Sequence, residues 1–97
     1  MTQRAVDDRL WSEWLSRYLA HCRGELSARE LTLLATALDR GVGGDARLDR
    51  GVFLSERVAT VARPLVDFIA TAPTDATRIA LAREAAVRLR AAARSSR

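Results

Sequence analysis

Residues 38–52 read LDRGVGGDARLDRGV, the phrase LDRGV written twice with four of the chain's five glycines inside it. As a phosphate or metal loop this stretch would belong to an α/β fold or a calcium module; as a joint it separates two helices of an all-helical chain. A nucleoside-triphosphate loop follows its glycines with a lysine and then Ser or Thr, and this sequence has no lysine at all. A dinucleotide fingerprint follows a strand, whereas Leu31, Leu34 and Leu38 ahead of this stretch repeat at helical steps. A calcium loop needs oxygen ligands at alternate positions and a closing glutamate. Asp45 and Asp49 are separated by Leu48 among others, and no glutamate closes the set. The stretch therefore reads as a joint. Gly41 ends a helix, Gly43 and Gly44 turn the chain, Asp45 caps a short turn through Arg50, and Gly51 marks a second bend. The alternative is a loop that orders on a partner through Arg40, Arg47 and Arg50.

Upstream, SARE (Ser27 to Glu30) announces the helix that this joint terminates. Ser at the cap and Glu three residues on satisfy each other's backbone N–H groups in a capping box. Earlier still, Leu10, Trp11, Trp14, Leu15, Tyr18, Leu19 and Cys22 recur at three- and four-residue steps and predict a helix over 6–22. Asp7 and Asp8 suit its positive end, Glu13 and Arg17 form an i,i+4 pair, and Gly24 offers the stop. Downstream, Leu54, Val58, Val61, Ala62, Leu65, Phe68 and Ile69 form a third stripe that continues across Pro64. Proline removes a donor and crowds the carbonyl four residues back, so this helix is expected to be kinked, or split in two. TAPTDATR then breaks the chain, with Thr74 or Asp75 as cap. A last helix over 76–94 carries an alanine-rich inner stripe through Ile79, Ala82, Ala86, Leu89 and Ala93. No segment alternates like a strand. The expected fold is all-α: a compact bundle of four to five short helices, up-and-down in order, forming a single domain over 1–97 with its last few residues disordered.

All 16 basic residues are arginines, and their distribution is uneven. Positions 1–73 hold ten arginines and ten acids. Positions 74–97 hold six arginines against Asp75 and Glu84, so the whole net charge of +4 sits there. No apolar run approaches the ~20 residues needed to span a bilayer, and the polar start does not read as a secretory signal. One cysteine allows no internal disulfide. These features predict a cytoplasmic protein with no membrane partner.

His21 and Cys22 are adjacent and so point about 100° apart on a helix. Cys22 belongs to the apolar stripe and is expected to be buried and inert. His21 has no second ligand at metal spacing. With one histidine and no arrangement that would activate a serine, no catalytic set is visible, and the chain is expected to be non-enzymatic, with no cofactor and no metal. Trp11 and Trp14 read first as core; an exposed indole would instead mark a partner surface. The segment SARELTLLATALDRG resembles the first helix of winged or simple helix-turn-helix regulators, although a glycine-rich stretch replaces the tight turn that family places next. That likeness implies a small DNA-binding transcriptional regulator, while the indoles imply a protein–protein adaptor.

At 100° per residue, Arg83, Arg90, Arg94 and Arg97 fall within about 60° of one another, with Glu84 on another side. The row suits either a solvated helix end or phosphate contacts. A short, basic, helical chain with balanced helices over 6–22 and 28–40 and this row resembles the small subunit of multisubunit class 1 CRISPR effector complexes. The likeness covers most of the chain, in architecture, size and charge. It implies an antiviral ribonucleoprotein in which arginines touch the backbone of RNA or single-stranded DNA. It also implies protein partners, other subunits and copies of the chain itself.

Overall fold

The computed structural model describes residues 8–41 and 56–95, with the backbone alone at 40 and 41. Four helices make up the described chain, with no strand among the described residues: α1 (Asp8–Glu25), α2 (Ala28–Gly41), α3 (Glu56–Ala70) and α4 (Asp75–Ser95). A fifth helix is not among them. The turns expected at residues 42–52 lie outside the described residues.

α1 runs past its expected stop. The Leu26 N–H still donates to the Cys22 carbonyl at 2.7 Å, so the helical ladder passes through Gly24. A Cβ at Gly24 would meet nothing within 4 Å, so the glycine answers no close approach there. What ends α1 is the start of α2. Ser27 Oγ accepts from the Glu30 N–H at 3.2 Å, and the Ser27 N–H donates to Glu30 Oε1 at 2.9 Å, completing the capping box. The Ser27 carbonyl accepts the first helical bond, from Leu31 N. An N-cap holds non-helical backbone angles, and this breaks the chain at Ser27. The Glu30 carboxyl is held below its usual range, chiefly by the Ser27 backbone N–H. Glu13 pairs with Arg9 at 3.6 Å, one turn before it.

α3 is one continuous helix across Pro64 rather than two short ones. It lies antiparallel to α1 along its length: Phe68 meets Trp11, Val61 meets Tyr18, and Arg57 meets Glu25. The Tyr18 hydroxyl donates to the Val61 carbonyl at 2.7 Å, in the turn that Pro64 disturbs. Arg57 donates to the Glu25 carbonyl and so covers one of the open acceptors at the end of α1.

α4 runs parallel to α1, with Glu84 beside Trp11 and Arg88 donating to Ser16 Oγ at 3.0 Å. Its most extensive packing is with α2, whose first turns lie against the last turns of α4. α2 and α3 therefore both run opposite to α1. The bundle is up-down-down-up, and the expected up-and-down order is corrected: α3 begins at the end where α2 also begins, because Arg57 reaches the end of α1.

Two kinds of core meet in this arrangement. Leu15, Leu31, Leu34, Leu38, Leu65 and Ile69 are fully buried, and each contributes roughly 1.5–3 kcal/mol by leaving water. α4 supplies mostly alanines, with Ala82, Ala85, Ala86 and Ala93 buried around Leu89. Small side chains let α2 and α4 approach closely while burying little area per residue. Ile79, placed on the inner stripe by spacing, is only half-buried.

Candidate nucleic-acid interface

The arginine row divides once α2 is in place. Arg83 and Arg94 are exposed, and no carboxylate pairs with either among the described residues. Arg90 is different: its guanidinium contacts Asp39 of α2 at 2.5 Å, with both side chains about one-third exposed. Glu84 of the same helix lies on another side, but Arg90 is neutralised from α2. The partner comes from another helix, and spacing along α4 gives no sign of it. Arg78 pairs with Asp75 at 3.1 Å in the first turn of α4. Arg97, Arg47 and Arg50 lie outside the described residues, and of Arg40 only the backbone is described, in the last turn of α2.

Between the first turns of α2 and the last turns of α4 runs an open groove of about 530 Å³. Arg29 borders it from α2, Arg90 and Arg94 from α4, and Thr32, Leu33 and Ala93 line it. Leu33 remains 37% exposed. The Thr32 hydroxyl donates to the Ala28 carbonyl at 3.0 Å and keeps its own lone pairs as acceptors. Arg29 is exposed and has no carboxylate partner among the described residues. Sequence reasoning ranks Arg29 as mattering less for binding, because it sits in the charge-balanced part of the chain. Its local signal is only that of an exposed position beside the capping box. Its proximity to Arg94 exists only because α2 packs antiparallel on α4.

The two indoles differ in burial, Trp11 lying in the core and Trp14 half-buried at its edge. Trp11 is 2% exposed, and its indole N–H donates to the Glu84 carboxylate. Burying an indole leaves its N–H in need of an acceptor, and Glu84 on α4 provides one, so Trp11 is a core residue. Trp14 is half-buried and sandwiched in a stack along α1, with ring centroids 6.0 Å from Trp11 and 5.0 Å from Tyr18. Phe68 of α3 sits 4.7 Å from Trp14 and 5.1 Å from Trp11.

Cys22 is fully buried, and burial pushes its thiol above the ordinary value. Burial likewise raises the Tyr18 phenol. Both groups stay protonated and uncharged near neutral pH. His21 is exposed. Among the described residues no three His, Cys, Asp or Glu side chains gather as metal ligands, and no helix is long and apolar enough to cross a membrane. No family model, curated protein or solved structure matches the chain.

Proposed function

We propose that the protein is a non-catalytic helical subunit that binds the sugar–phosphate backbone of RNA or single-stranded DNA within a ribonucleoprotein effector assembly, as its likeness to CRISPR small subunits implies. Arg83, Arg90, Arg94 and Arg97 contact phosphates without reading bases. Neighbouring subunits, copies of the chain among them, cover its charge-neutral faces. The observation that carries this reading is that Arg83 and Arg94, in the segment holding the whole charge excess, have no carboxylate partner among the described residues. A row of like charges repels itself, and a polyanion relieves that repulsion while releasing counterions.

The test is a salt titration of binding to single-stranded RNA, single-stranded DNA and duplex. Replacing all four arginines by glutamine is expected to abolish binding while helical circular dichroism stays unchanged, because the buried stripe of α4 is untouched. Affinity should fall linearly in the logarithm of salt, with a slope set by the number of phosphates neutralised. No affinity for any polynucleotide at low salt would overturn the reading.

A further inference from the structure

We infer that the nucleic-acid backbone crosses the groove between α2 and α4, clamped between Arg29 and Arg94, rather than running along the outer face of α4 alone. This rests on the proposed function and names the place where that function acts.

Arg29 and Arg94 come from helices that meet only in the folded chain, and they border one groove with no acid pairing either among the described residues. Two guanidinium forks approaching from separate helices suit an anion lying between them, since each can donate two parallel hydrogen bonds to phosphate oxygens. The third cation at the groove, Arg90, is held by Asp39, so it borders the site with its orientation already fixed. The lining is mixed in a way that fits a phosphodiester rather than a free anion. Leu33 offers an apolar surface for the C–H edge of a sugar, and the Thr32 oxygen can accept from a sugar hydroxyl. Arg83 stands outside this groove, about 16 Å from Arg94 along the axis of α4 at 1.5 Å per residue. The clamp therefore ranks the arginines: Arg29 and Arg94 first, Arg83 well behind.

The experiment is fluorescence anisotropy of a short labelled single-stranded RNA with the full chain across a salt series, using R29Q, R94Q and R83Q. R29Q and R94Q are each expected to weaken binding about tenfold and to flatten the salt slope by about 0.7. R29K and R94K should recover most of the slope, and R83Q should change affinity less than either glutamine variant. Binding by R29Q equal to the wild type, with the loss carried by R83Q, would overturn the clamp and leave the proposed function standing. Failure of the wild-type chain to bind RNA at low salt would instead remove the proposed function itself. Displacement of the RNA by polyglutamate at equal charge concentration would assign the groove to an acidic protein segment and overturn the phosphodiester assignment.

Discussion

The two sides of the bundle hold together by different means. Between α1 and α3 the contacts are large, aromatic and directional: Trp11, Trp14 and Tyr18 stack along one helix, Phe68 packs against both indoles, and Tyr18 and Arg57 donate across the interface. Between α2 and α4 leucines of one helix pack against an alanine-rich stripe of the other, with the Arg90–Asp39 ion pair as a directional contact across them. Aromatic packing buries much area per residue and fixes angle and register. Alanine packing fixes little beyond distance, but it brings two backbones near enough for exposed side chains of both to share a groove. The aromatic side carries the larger side chains. The candidate interface lies on the other, where short side chains let Arg29 and Arg94 border one groove.

The comparison is most exposed to failure at Trp11. Trp11→Ala removes the contacts with Trp14 and Phe68 and strands the Glu84 carboxylate, and it is expected to cost about 3–5 kcal/mol in urea denaturation. A cost below about 1 kcal/mol would mean that the aromatic side is not the one holding the bundle. A smaller effect is expected on the alanine side. Ala86 lies two turns before Ala93 on the stripe facing α2 and is fully buried. Ala86→Leu overpacks that contact and should cost about 1–3 kcal/mol. Because it spreads α2 from α4, it should also weaken RNA binding, and unchanged affinity would separate the groove from the packing beneath it.

The smallest effect concerns the start of α2. Ser27→Ala should cost about 1 kcal/mol, read from the denaturation midpoint. Glu30 adds a pH dependence whose sign follows from its lowered folded-state pKa. Its contribution is present above the ordinary glutamate value of about 4.3 and is lost as pH falls through the lower folded value. Stability of the wild type should thus decline on acidification below about pH 4.3, and Glu30→Gln should flatten that decline. A variant as acid-sensitive as the wild type would place the dependence on other carboxylates.

Where a feature depends on residues a few positions apart, the sequence reading and the structure largely agree, although Glu13 pairs with Arg9 rather than with Arg17. Ser27 and Glu30 form their box because the partners are three residues apart, and the first stripe is buried at Trp11, Leu15, Tyr18, Leu19 and Cys22, while its outermost member Leu10 is exposed and Trp14 is half-buried. Gly24 shows the limit even of local reasoning: a glycine permits a stop without requiring one, and the ladder of α1 continues through it to Leu26, immediately before the Ser27 cap. Arg90 and Arg29 show a second limit. The first looked unpaired and the second unremarkable, because Asp39 and Arg94 belong to other helices in each case.

By itself the sequence determined the helical class, the four apolar stripes, the cap that opens α2 and the concentration of charge in α4. All of these follow from backbone periodicity and short-range hydrogen bonding, which need no partner helix. Only the tertiary structure decided that α2 and α3 run in the same direction, that Trp11 is core with Glu84 as its acceptor, and that Arg29 shares a groove with Arg94. These depend on which stripes face each other. Apolar burial drives stripes together without specifying their order, because it is proportional to area and has no direction. The choice among orders fell to the long-range partners of a few residues: Tyr18 with Val61, Arg57 with Glu25 and Trp11 with Glu84.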